Sequence, residues 1–274
     1  MFDWLEPAFM QRALVAGVIV AAICPMLGLF LVLRRLSLIG DGLGHIAFAG
    51  VAAGFMTGIY PLVSALGFTV VGALGIEWLR SRQQAYGDLA LALFFYTGIA
   101  GGVVLAVMSN TPNAALFGYL FGSISTIRPE DVWFIAALGV GVAALIFLFF
   151  KELFALSFDE ATARVSGIRV GMLNVMVAIM AAVTVAIGMR VVGLLMVAAL
   201  MIVPVATALQ LGRGFLSTLL WAVAFSVVAL MAGLAFSYYR DLPPGGTIVL
   251  SAVALFIVVA IVRGVSLMLV KRSV

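Results

Sequence analysis

An acid and an imidazole one helical turn apart are the residues in this sequence best placed to do chemistry. The segment LRRLSLIGDGLGHIAFAG, residues 33–50, carries Asp41 and His45, the one histidine of the 274 residues, where a hydrophobic stretch begins. On a helix, side chains four residues apart share a face. The carboxylate and the imidazole can therefore grip one cation from one side. Oxygen and nitrogen donors of this kind suit zinc, manganese or ferrous iron, whereas a thiolate set would favour copper(I) or tight structural zinc. Two ligands alone bind weakly, but a two-fold homodimer would bring two carboxylates and two imidazoles together at its axis. Modest affinity suits a conduit, because an ion must leave as readily as it enters. The plain structural alternative has Asp41 capping the helix and His45 bonded to a backbone carbonyl. Gly40, Gly42 and Gly44 are odd for an ordinary helix start and fit close backbone approach at an interface.

The elements that must position this pair are membrane spans. Hydrophobic residues make up 65% of the chain and charged residues 9%, with a mean hydropathy of +1.29; soluble domains carry about 25% charged residues. A span needs about 20 apolar residues to cross a hydrocarbon core roughly 30 Å thick. Candidate spans fall at about 9–33, 44–59, 61–79, 89–108, 131–150, 171–189, 191–211, 215–238 and 247–268, with a shorter stretch at 114–127 that either re-enters or crosses at a tilt. The start is acidic (Asp3, Glu6) and its apolar run too long for a signal peptide, so it reads as the first span. If 114–127 does not cross, one side of the membrane collects Arg34, Arg35, Arg80, Arg82, Lys151, Arg164, Arg169, Arg213, Lys271 and Arg272. The other side receives only Arg12, Arg128, Arg190 and Arg240. Positive residues accumulate on the cytoplasmic side, so nine crossings, with the amino terminus outside and the carboxyl terminus inside, are expected. Ten crossings would send Arg34, Arg35, Arg80 and Arg82 outward. The expected fold class is an all-α polytopic membrane protein with about nine (8–10) transmembrane helices, residues 1–274 forming one domain. The net charge of +4 is spread over span ends, with no basic patch and interleaved aromatics that would suit nucleic acid.

Other segments carry weaker signals. Cys24 is the single cysteine and lies inside the first span, which excludes an intramolecular disulfide. Gly98 with Gly102 and Gly118 with Gly122 have the spacing that lets helices approach closely in lipid. The longest polar interruption, KELFALSFDEATARVSGIRVGMLN at 151–174, holds Glu160, Ala161 and Gly167. It reads either as a solvated connection or as a small helix lying on the cytoplasmic surface and docking into a partner's groove. Pro204 sits deep in the run 192–211, where a freed carbonyl can bend the helix beside a pathway. Glu77, Asp88 and Asp131 fall at span ends, where head-group water can solvate them.

Taken together, FLVLRRLSLIGDGLGHIAFAGVA, GDLALALFFYTGIAGGVVL, LFGSISTIRPEDV, DEATARVSGI and VGLLMVAALMIVPVATA resemble the membrane permease subunits of ATP-binding-cassette importers for zinc, manganese and iron. The most specific of these pieces is the arginine-arginine, serine-leucine, glycine-aspartate, histidine series of the first. The resemblance implies a fold related to the vitamin B12 and iron-siderophore (type II) importer permeases and a homodimer in a bacterial inner or plasma membrane. It implies two cytoplasmic ATPase subunits, an extracytoplasmic metal-binding protein that delivers the ion, and no permanently bound cofactor, the metal being cargo. By the same resemblance Asp41 and His45 contact the metal, and the loop at about 151–170 with Glu160, Ala161 and Gly167 is the helix that couples to the ATPase. The family often has serine before the histidine and proline shortly after it; here Gly44 and the apolar run 46–49 stand instead.

The chain has no glycine-lysine-threonine phosphate loop, so ATP hydrolysis is expected in a separate subunit and no enzyme activity in this one. A carrier driven by a proton or sodium gradient is the rival, although such carriers usually place several charges mid-membrane and few lie deep here. A membrane zinc peptidase needs two histidines and a glutamate base, which one histidine does not supply. A purely structural membrane subunit would differ only in tolerating loss of Asp41 and His45.

Overall fold

In a membrane every backbone N–H and C=O must be satisfied within the protein, which leaves helices as the economical form for apolar runs of this length. The computed structural model describes residues 6–82, 87–109, 113–212 and 214–272. Asp3 and Arg213 lie outside the described residues, as do the side chains of Lys271 and Arg272. Nine of its helices are long and apolar enough to span: α1 (Ala8–Leu33), α2 (Ile39–Thr57), α3 (Pro61–Arg82), α4 (Gly87–Met108), α6 (Pro129–Leu148), α9 (Val170–Gly188), α10 (Leu194–Leu211), α11 (Phe215–Arg240) and α12 (Pro244–Arg272). Three are short: α5 (Asn113–Phe121), α7 (Phe150–Phe158) and α8 (Glu160–Val165). At 1.5 Å per residue the nine residues of α5 reach about 14 Å, half a bilayer core. The stretch 114–127 therefore does not cross; it forms α5 and one 3₁₀ turn, Ile124–Thr126.

The second span starts five residues earlier than the hydropathy suggests, at Ile39, so Asp41 lies in its first turn and His45 in its second. Helices α1, α2 and α9 are the most enclosed, while α4, α6 and α12 present most of their length outward. Glycines set how α2 is held. Cβ atoms on Gly40 and Gly44, one turn apart, would come within 3.1 Å of Ala198 and 2.9 Å of the Leu194 carbonyl on α10. The close approach expected of these glycines is thus made within the chain. On the neighbouring face of α2, a Cβ on Gly98 would fall 2.7 Å from the His45 carbonyl carbon and one on Gly102 2.4 Å from Phe48, so α4 lies flush against α2. The paired spacing of Gly98 and Gly102 is used as a helix contact. That of Gly118 and Gly122 is not, because Gly122 follows the end of α5 with φ +80 and abuts the Val191 carbonyl.

The two ends of the bundle carry separate charge clusters. At one end Asp131, fully buried, accepts hydrogen bonds at Oδ2 from Arg190 Nε (3.1 Å) and from the Arg128 backbone N–H (2.9 Å), and at Oδ1 from the Tyr60 hydroxyl. Arg190 also donates to the Thr126 carbonyl (3.0 Å) and lies over the Tyr119 ring, 4.9 Å from its centre. Arg12 donates to the Ile127 carbonyl at 2.9 Å. Burial beside Asp131 pushes the Tyr60 phenol above its ordinary pKa. Arg12, Arg128 and Arg190, assigned to the outer face by charge, do gather at one end. Arg34, Arg80 and Arg164 meet Glu77 and Glu160 at the opposite end. The solvated placement expected for Glu77 and Asp131 is corrected: both are buried and paired, Glu77 with Arg80 at 2.7 Å and Asp131 with Arg190 at 3.1 Å. A carboxylate at the start of α6 is stabilised by the free N–H groups there, and the guanidinium from the α9–α10 turn supplies the charge that lets it be buried.

Candidate metal pathway site

The fixing of α2 against α10 by Gly40 and Gly44 turns Asp41 and His45, the next residues round the helix, toward α4. His45 meets Phe95 edge to face, with ring centres 4.3 Å apart and planes at 71°. Asp41 opens onto a cavity of about 210 Å³ whose wall includes Leu38, Gly42, Asp88, Phe95 and Tyr96. Gly42 leaves this wall open, since a Cβ there would have nothing nearer than 3.9 Å. Neither member of the pair is fully buried, and the N-cap of α2 is Leu38, not Asp41. The capping alternative is therefore not what the helix uses.

Asp88, read from sequence as a solvated span end, is exposed, and it also lines the Asp41 cavity. The signal that could have found it is its place in the first turn of α4, the helix that packs on α2. Among the described residues no group of three or more histidine, cysteine or acidic side chains is close enough to hold a metal. One chain thus offers a cation two ligands from a single helix face, together with an aromatic edge.

The second site region lies at the inner end. Asp159 caps α8, accepting from the Ala161 backbone N–H at 2.9 Å and from the Thr162 hydroxyl, and these hydrogen bonds hold its carboxyl below the ordinary carboxylate range. Glu160 pairs with Arg164 one turn on at 3.3 Å and with Arg34 at 3.4 Å. Ala161, Val165 and Gly167 are exposed, while Ala163 packs down against Leu156, Val170 and Leu173. Gly167 ends the motif at φ +83, a left-handed conformation that favours glycine, and a Cβ there would meet nothing within 4 Å. The polar interruption does fold as a short helix, α8, preceded by α7. Pro204 is buried in α10, which continues through it as a helix.

Against known proteins, the sequence model of the ABC 3 transport family matches residues 6–263. The chain is 38% identical over 260 residues to the "Probable metal transport system membrane protein" of Treponema pallidum, covering 94% of this chain and 97% of that protein. It is 30% identical to the "Manganese transport system membrane protein MntC" of Listeria monocytogenes (93% and 90% covered). It is also 30% identical to the "High-affinity zinc uptake system membrane protein ZnuB" of Haemophilus influenzae (94% and 97% covered). Among solved structures, "PsaBC from Streptococcus pneumoniae in complex with Fab" superposes with a TM-score of 0.85 at 28% identity, covering 94% of this chain and 93% of that one.

Proposed function

Because the chain belongs to the ABC 3 transport family, we propose that it is the permease of an ATP-driven importer of divalent transition metal ions, acting as a homodimer that passes the ion between two Asp41–His45 pairs. It is a multi-pass protein of the bacterial inner membrane and a transport subunit, with ATP hydrolysed by a separate partner. The observation that carries the reading is the placement of Asp41 and His45 one turn apart, on the face of α2 that opens toward α4 and its cavity. A carboxylate and an imidazole that remain partly accessible within a span must meet protein or water rather than lipid. A second copy supplies that cover and, by two-fold symmetry, the second acid and imidazole.

The cargo is manganese, zinc or iron. Carboxylate and imidazole accept all three, and relatives are named for manganese and for zinc. An extracytoplasmic metal-binding protein hands the ion to the end bearing the Asp131 cluster. The ATPase meets the opposite end at α8 through Glu160, Ala161 and Gly167. Closure of the ATPases shifts both copies of α8 and changes which side of the membrane the pairs face, a population shift driven by nucleotide. In vesicles containing the permease, its ATPase and its delivery protein, Asp41→Ala and His45→Ala are expected to abolish manganese and zinc uptake while the subunits still copurify. Normal uptake by both variants overturns the assignment.

A further inference from the structure

Arg34 is buried in a way that neither charge sidedness nor helix capping requires. It follows the last residue of α1, where a cation favours the helix C-terminus and could extend into water. Instead its side chain is 6% exposed and folded under α8. Nη2 donates to Asn174 Oδ1 on α9 at 2.7 Å and reaches Glu160 Oε2 on α8 at 3.4 Å, while Nη1 is buried with no hydrogen-bond partner among the described residues. Beyond Arg34 the chain turns at once into α2 through a hydrogen-bonded corner. Arg35 N–H donates to the Val32 carbonyl (3.1 Å), Leu36 N–H to Leu31 (2.8 Å) and Gly42 N–H to Leu38 (3.2 Å), with Arg35 itself in the left-handed region at φ 57. A corner so short and so fully bonded has little slack to absorb a displacement. Asp41 lies seven residues past Arg34, in the first turn that this corner feeds.

We propose that Arg34 is the positioning residue that transmits movement of α8 to the metal-bearing first turn of α2, a role that rests on reading α8 as the contact for the ATPase. The guanidinium has the form the task needs. Asn174 anchors it at Nη2, and the unused Nη1 offers a second seat for the Glu160 carboxylate in the paired geometry that arginine favours. A shift of α8 carries Glu160 across the fork without releasing it. The space for that shift is the cavity of about 740 Å³ bounded by Glu160 and Asn174 on one side and by Glu77, Trp78 and Arg80 of α3 on the other.

The test uses the complete transporter in vesicles with manganese as the probe, reading ions imported per ATP hydrolysed. Arg34→Gln is expected to lower that ratio about fivefold or more, the scale of coupling between linked sites, while ATP hydrolysis and copurification persist. Arg34→Lys should fall between. The exchange Arg34→Glu with Glu160→Arg should recover coupling beyond either single change, which a merely structural arginine would not do. An unchanged ratio in Arg34→Gln, or an exchange variant no better than the worse single one, overturns the proposal. If Arg34→Gln does not assemble, Asn174→Ala is read instead. It frees the guanidinium without removing the charge; the same fall supports the link and an unchanged ratio overturns it. Uptake by the unmodified transporter that proceeds without ATP sinks the importer reading itself. ATP-dependent uptake that is uncoupled by a bulky residue at Ala161 but not at Arg34 sinks this inference alone.

Discussion

At the scale of single residues, the two most buried charges at one end of the bundle answer each other. Asp131 is fully buried, and Arg190 beside it is 7% exposed. Each would be costly alone, so the pair is worth most when one partner is removed. Asp131→Ala leaves a buried guanidinium with the carbonyl and hydroxyl of Thr126 and a ring face but no counter-charge among the described residues, and should lower the stability of the purified protein by about 3–5 kcal/mol. The double variant Asp131→Ala with Arg190→Met should lose less, because it leaves no uncompensated charge. Thermal unfolding in detergent compares the two, and a double variant less stable than the single one would contradict this account. Asp41 and His45 differ in kind. They lie within a span, remain partly accessible and, among the described residues, have no counter-charge of the Arg190 sort, which is why they read as a place for a passing cation rather than as a fastening.

At the scale of elements, helix contact is decided by where a side chain is missing. Gly98 puts α4 on the backbone of His45, so Gly98→Ala drives a methyl to within 2.7 Å of main-chain atoms that cannot yield like a flexible side chain. Metal uptake should fall sharply in that variant even though neither Asp41 nor His45 is altered, because α4 is pushed off the helix that carries them. Gly67→Ala on α3 has nothing within 4 Å and should transport normally. Comparing uptake by these two glycine variants checks that spacing, not glycine itself, is what matters. Much of this layer was legible in the sequence. Nine apolar runs, the Gly98 and Gly102 spacing, the small helix near Glu160 and the shared face of Asp41 and His45 follow from local periodicity. What was not legible is long-range pairing. Asp131 and Arg190 are 59 residues apart and Arg34 and Glu160 are 126 apart. In a linear reading every charge at a span end looks equally able to reach water. The start of α2 was misplaced because Gly40, Asp41 and Gly42 lower the hydropathy of a turn that is nonetheless helical.

At the scale of the whole molecule, the proposed metal passage asks for more donors than one chain brings together among its described residues. Among the described residues no three histidine, cysteine or acidic side chains come together, so the pair Asp41 and His45 stands as two candidate ligands, not three or four. Helix α4, which covers one side of those ligands, buries little of its own surface within the chain. Apolar exposure needs no partner in lipid, but the half-covered acid and imidazole do. The proposed two-fold pairing across this face would supply four ligands to one ion and predicts a stoichiometry of one divalent cation per two chains. Joining two copies in one polypeptide makes that countable. A tandem permease with both pairs intact should bind one manganese or zinc ion by calorimetry. The same tandem with Asp41→Ala and His45→Ala in one half should bind at least about 100-fold more weakly, since even changes beyond the direct ligands of a metal cost about 10- to 100-fold. Two independent ions per tandem, or undiminished binding with one pair removed, would mean that each chain holds its own ion and that the site is not shared.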